Sequence, residues 1–333
     1  MKYIKRIIPK LIKDNLYKKK KKVLNYIKSF LLKSFWENNV DNLYYGHYDI
    51  FKKYANIILP YKINGELQHG WSANSGIASF PISNDNQGKN SRYYLFNDFN
   101  KQKCTKMGFK NTVVIGSPFL YLPKMEEKKS YLPKSLILFP YHSTEYDEDN
   151  SLNIGYENYL KDIIKISSNF KSIKACLYWK DNENQDIIDQ FHKRKIETIS
   201  LGHRDNNPNF LFNFVNLVNN YEFVSSDYFS SAVFYSLKLR RKVFIYGEPI
   251  SFHYKSTVTT DFEKKLSSKD TYKIYSKRYP ELLWENFNNR AHIKIAEKEL
   301  GQKFKKSPEQ IRSLFEWNLK SVLRRIIRNF LNN

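Results

Sequence analysis

The residues best suited to chemistry begin with His69, in the run Gln68, His69, Gly70, Trp71, Ser72. A titratable imidazole next to a glycine, which lets a ligand approach the backbone, suits a general base that removes the proton of an attacking hydroxyl. The same residue types would also suit a structural histidine that caps a helix or holds a loop carbonyl. A second imidazole stands in Pro140, Tyr141, His142, Ser143, Thr144, Glu145. Hydroxyls and an imidazole ahead of a helix are fit to bind phosphate oxygens. A third cluster reads Val224, Ser225, Ser226, Asp227, Tyr228, Phe229, Ser230, Ser231, Ala232. Its four serines offer hydroxyl and N–H donors at a helix start, where the dipole favours an anion, although ordinary capping uses the same residues. Gly116, Ser117 and Pro118 form a fourth site, either a plain turn or the border of a cleft and hinge. Glu145, Asp147, Glu148 and Asp149 could supply an acid, a base or a metal ligand, but an acidic run is ordinarily a solvated one.

These residues need strands to hold them, and the apolar runs supply candidates. In the first half the runs are 56–59, 65–68, 93–97 and 112–116; in the second they are 135–139, 174–178, 198–201, 222–225 and 242–246. Each of the first four runs of the second half leads into a stretch able to form a helix, which predicts βα units and a parallel, doubly wound sheet. In such sheets ligands bind beyond the carboxyl ends of the strands. Each of the four sites above lies there. Pro118, Pro123, Pro133 and the charged run Met125 to Lys129 break the alternation, so a linker is expected over 118–134. The expected organisation is α/β: a first Rossmann-like domain over 37–117, a second over 135–280 and C-terminal helices over 281–333.

Both ends of the sequence differ from its middle. Residues 1–36 set Ile4, Ile7, Ile8, Leu11 and Ile12 at helical spacing against Lys2, Lys5, Arg6, Lys10 and the run Lys18 to Lys22. Ser307, Pro308 and Gln310 spell a helix cap, and Leu323, Ile326, Ile327 and Phe330 then alternate with Arg324, Arg325 and Arg328. Basic amphipathic ends of this kind suit an anionic membrane surface, or a stripe packed on the body of the protein.

Composition narrows the class. The 56 Lys and Arg against 33 Asp and Glu leave a net charge of +23, which calls for a polyanionic neighbour, and an AT-rich coding bias contributes part of the excess. With 41% apolar and 16% aromatic residues the chain is too rich in core formers for disorder. Cys104 and Cys176, in no metal or redox motif, argue against a disulfide framework or structural zinc and fit a reducing cytoplasm. No apolar run approaches the roughly 18 residues that span a bilayer.

In order, the segments "QHGW", "VVIGSP", a linker, "LILFPYHST" and "VSSDYFSSAVFYSLKLRRKVFIYG" resemble GT-B glycosyltransferases of bacterial capsule and lipopolysaccharide assembly, sialyl- and Kdo-transferase-like enzymes among them, over about residues 55–250. The resemblance implies two Rossmann-like domains facing a cleft, a nucleotide-sugar donor, a glycan or lipid-linked glycan acceptor, and a place on the inner face of the plasma membrane. It implies His69 as base, with His142, Ser143, Thr144, Ser225, Ser226, Ser230 and Ser231 around the donor and Gly70, Gly116, Ser117 and Pro118 at the cleft. No cofactor or metal is expected, because no Asp-x-Asp pair stands at a strand end. His142 is followed by Ser143 where those families carry proline. The segments also resemble teichoic-acid glycerophosphotransferases, which use a CDP-linked donor on the same fold. Outside this class stand a nucleic-acid-binding protein, disfavoured because the cations gather at the ends, and a noncatalytic assembly partner.

Overall fold

The computed structural model describes residues 37, 39–59, 61–73, 76, 90–123, 131–142, 156–205, 207–247, 268–318 and 321. The basic N-terminal segment 1–36, the basic end beyond 321, Met125 to Lys129, Ser143, Thr144 and the acidic run at 145–149 lie outside the described residues.

Within those residues the chain is α/β, with two parallel sheets. The first sheet has three strands, β1 (Glu66–Leu67), β2 (Arg92–Leu95) and β3 (Asn111–Val114), in that order. The second has five: β4 (Leu132–Leu138), β5 (Ser172–Leu177), β6 (Glu197–Ser200), β7 (Tyr221–Ser226) and β8 (Lys242–Ile245). Their spatial order is β6-β5-β4-β7-β8, that of a doubly wound, Rossmann-like sheet whose direction of winding reverses beside β4.

The helices follow in chain order: α1 (Val40–Leu43), α2 (His47–Tyr54), α3 (Asp98–Lys106), α4 (Tyr156–Ile166), α5 (Gln185–His192), α6 (Phe210–Val218), α7 (Ser231–Lys238), α8 (Ser268–Arg278), α9 (Ile293–Glu299) and α10 (Pro308–Leu314). The cap read at Ser307 is present in full: its hydroxyl accepts from Gln310 N–H, and the Gln310 side chain accepts from Ser307 N–H. None of the described helices is long and apolar enough to cross a membrane.

Alternation along the strands sorts the core into layers. Leu136, Leu138, Ala175, Leu177 and Phe244 pack with Tyr159, Ile163 and Phe191 of α4 and α5 on one face of the large sheet. Ile137, Cys176, Val224 and Val243 turn to the other face and share one buried cluster with Leu67, Tyr94, Phe96 and Ile115 of the small sheet. Tyr93, Leu95, Cys104 and Phe109 form a minor core on the far side of the small sheet. A continuous apolar layer therefore joins the two sheets. Cys176 is buried in this layer and Cys104 in the minor core, so the two thiols sit in separate clusters.

One expectation needs correction. The run 56–59 is not a strand. Helix α2 ends in a paired cap in which Asn56 N–H, at φ 53°, donates to the Lys53 carbonyl and Ile57 N–H donates to the Lys52 carbonyl. The chain then leaves the body, with Ile58 89% exposed, and no strand among the described residues pairs with it. The first residues of the span expected as a linker are ordered. Pro118–Tyr121 forms a turn of 3-10 helix whose residues are all buried, because Phe119, Leu120 and Tyr121 belong to the layer between the sheets.

Candidate functional site

The segment after β1 is held from several directions. Gln68 accepts from Phe96 N–H at 2.9 Å and donates to the Gly70 carbonyl at 2.7 Å. Trp71 N–H donates to Ser231 Oγ at 2.9 Å, across from the first turn of α7, and its indole N–H donates to the buried Glu299 at 2.9 Å. A Cβ at position 70 would lie 3.0 Å from Ser231 Oγ, a tight contact. The histidine between these anchors has little freedom to move.

His69 is partly exposed, yet its ring is enclosed by Tyr44 at 4.2 Å and Tyr45 at 5.2 Å between centroids, both edge-on. Its Nε2 meets Tyr45 Oη at 3.3 Å, and its Nδ1 is buried without a hydrogen-bond partner. Burial holds its pKa well below the ordinary 6.5, and the neighbouring charges of Arg204, His47 and His142 push it the same way. The ring is therefore a neutral imidazole at pH 7.

Tyr45 is placed by an unusual turn. It adopts φ 56° and is followed by Gly46 at φ 72°, where a Cβ would strike the Pro208 carbonyl oxygen at 2.6 Å. A left-handed tyrosine costs on the order of 1 to 2 kcal/mol. The turn persists because the other sheet holds it: Tyr45 N–H donates to the Arg204 carbonyl at 2.8 Å. The Arg204 guanidinium stands 5.1 Å from the Tyr44 ring and 5.5 Å from Tyr178, and its Nη1 reaches Tyr45 Oη at 3.4 Å. His47, which begins α2, is wholly buried with neither ring nitrogen hydrogen-bonded, and burial lowers its pKa to about 3.

On the large sheet, the ends of β4, β5 and β7 present the rest. His142 stacks on Tyr178 at 4.5 Å and 19°. Its strand end is fixed by the fully buried Asp227, which accepts from Tyr141 N–H at 2.8 Å. Tyr156 donates to the Tyr141 carbonyl and to Asp181, both at 2.9 Å. Ser225 is buried with its hydroxyl unpartnered, whereas Ser226 accepts from Tyr228 N–H at 3.2 Å. Ser230 is the N-cap residue of α7, with no side-chain capping bond. Winding reverses between β5 and β7, so topology independently nominates the end of β4.

The structure thus gathers His69, Gly70, His142 and Ser231 where strand ends of the two sheets approach each other. Ser225 and Ser226 lie deeper, at the end of β7. Gly116, Ser117 and Pro118 pack inside: Ser117 N–H donates to the Leu300 carbonyl at 2.8 Å, and Ser117 Oγ meets Tyr235 Oη at 3.4 Å. Sequence reasoning missed Tyr45, His47 and Arg204. Arg204 follows β6 in Leu201, Gly202, His203, Arg204, so its signal was a cation just past a strand end. Among the described residues no group of three His, Cys, Asp or Glu is arranged to hold a metal ion. A polar depression of about 390 Å³, lined by Asn64, Glu66, Arg92 and Asn111 among others, opens at the start of the small sheet's strands, away from His69. Comparison with protein-family models, with curated proteins and with solved structures finds no match to this chain.

Proposed function

We propose that this chain is a glycosyltransferase of GT-B type. It moves a sugar from a nucleotide-activated donor to a hydroxyl of a bacterial surface glycan or its lipid-linked precursor, at the inner face of the plasma membrane. One observation carries the reading: His69 is a neutral imidazole with an enclosed, unpartnered Nδ1, set near the Arg204 guanidinium at the strand ends of two parallel sheets.

The chemistry asks for a base on one side and anion stabilisation on the other. Tyr45 Oη accepts from the Nε2–H tautomer of His69, and accepts from Arg204 as well. That leaves the Nδ1 lone pair to take the proton of the acceptor hydroxyl as its oxygen attacks the anomeric carbon. The depressed pKa keeps the lone pair free down through mildly acid pH. The departing nucleotide phosphate gains negative charge, and Arg204, His142, Ser230 and the N–H groups that begin α7 are placed to meet it. The layered core around them keeps these dipoles fixed before substrate arrives.

The test is binding followed by turnover. CMP, CDP, UDP and GDP are each added to the protein and thermal unfolding is recorded. At least one should raise the Tm by mass action, and its parent nucleotide-sugar should then be consumed in the presence of a glycan acceptor. A flat response to all four would overturn the transferase reading, and transfer of glycerol phosphate from a CDP-glycerol donor to the acceptor hydroxyl, with CMP released, would replace it with the phosphotransferase one.

A further inference from the structure

Most large apolar side chains that reach solvent stand singly: Val40, Leu132, Ile164 and Ile274 are scattered over different elements. Among the described residues Ile58 and Leu59 are the exception, adjacent in the loop after α2 at 89% and 51% exposure. The surroundings of this loop are cationic. Lys52 and Lys53 occupy the last turn of α2. Lys305 Nζ lies 5.3 Å from the Tyr54 ring centre, and the Lys306 carbonyl accepts from Tyr54 Oη at 2.8 Å. Arg312 donates to the Ala55 carbonyl at 2.8 Å. The carboxylate in this group, Glu309, is already paired with Arg312 at 2.8 Å. Glu37 and Trp317, which border the two basic end segments, are fastened to the continuation of the same loop: Glu37 accepts from Ile63 N–H at 2.8 Å and Trp317 donates to the Lys62 carbonyl at 2.9 Å.

Two adjacent aliphatics that follow a helix end carrying Lys52 and Lys53, and that belong to a segment tied to Lys306 and Arg312, match an anionic lipid surface, where apolar groups enter the acyl boundary and Lys and Arg meet the phosphates. A stable protein partner would need about 1,000 Å² of complementary surface, far more than two side chains offer. Nucleic acid would use the cations and leave the aliphatics in water. We propose that loop 56–59 is a membrane-docking loop that inserts Ile58 and Leu59 into an anionic bilayer while Lys52, Lys53, Lys305, Lys306 and Arg312 lie at the headgroups. The loop is a contact separate from the amphipathic ends, and it stands whether or not the chain transfers sugar.

The experiment uses the full chain with Ile58→Cys carrying an environment-sensitive fluorophore. Labelling is selective because Cys104 and Cys176 are buried and burial pushes the Cys176 thiol up to about 12. Vesicles of phosphatidylglycerol with phosphatidylcholine should shift the emission to the blue, and spin labels in the acyl chains should quench it; pure phosphatidylcholine should do neither. The proposal is overturned by any of three results. These are failure of the protein to bind the anionic vesicles, binding in which the fluorophore stays in water, and a fluorophore already shielded before vesicles are added, which would mean that the chain's own ends cover the loop. In parallel, Ile58→Asp with Leu59→Asp should weaken partitioning to the anionic vesicles by about tenfold or more; unchanged partitioning would also overturn it.

Discussion

Two buried polar clusters flank the candidate site, and they differ in how far they are satisfied. On the side of the large sheet, the carboxylates of Asp227 and Asp181 are engaged by Tyr141 N–H and Tyr156 Oη. On the side of the small sheet, His69 Nδ1 and both nitrogens of His47 are enclosed without partners. A buried polar group with its partner in place fixes geometry, whereas one left without a partner carries the full desolvation cost. The first cluster therefore acts as scaffold for the end of β4, and the second is the one that an incoming hydroxyl would complete.

The sharpest way to break that contrast is at His69. His69→Ala should lower turnover by about 10² to 10⁴-fold while nucleotide binding, read by thermal shift, stays near that of the parent protein. Equal losses in binding and turnover would move His69 to the scaffold side. On the other side, Asp227→Ala should cost roughly 2 to 3 kcal/mol in chemical denaturation, because Tyr141 N–H is left buried without an acceptor. A loss of activity with unchanged stability would make Asp227 a participant instead.

His47 sharpens the contrast through pH. Its folded pKa of about 3 lies below the ordinary 6.5, so beneath pH 6.5 the unfolded chain takes up a proton that the folded chain refuses. Stability is lost as pH falls from 6.5 toward 3, and His47 accounts for about 2 kcal/mol of that loss by pH 5. His47→Leu should flatten the curve by that amount in denaturation series at pH 7 and pH 5. The smallest expected effect is at the join: Ser231→Ala removes the acceptor of Trp71 N–H and should cost about 1 kcal/mol, measured in the same way.

How much of this was legible depended on whether the determinant was local. The strands of the large sheet were readable because each is a short apolar run followed by a helical stretch, and their ends led to His142 and Ser231. His69 was readable for the same reason, as an imidazole just past a strand. The run at 56–59 misled because Ile57, Ile58 and Leu59 carry strand residue types, while the left-handed Asn56 and the absence of a neighbouring strand belong to the fold. Tyr45 was out of reach, since nothing local explains a left-handed tyrosine; Arg204, from a segment about 160 residues away, holds it. At Pro118 proline marked irregular backbone without saying whether it is exposed, and that turn is buried.

Helix α2 joins the imidazole cluster to the exposed loop. It starts at His47 and ends at Tyr54, and eight residues at 1.5 Å each give a rod of about 12 Å. On the proposed docking of loop 56–59 and the proposed role of His69, a rod of that length would set a stand-off between the headgroups and the imidazole cluster, which a bilayer-anchored acceptor would have to span.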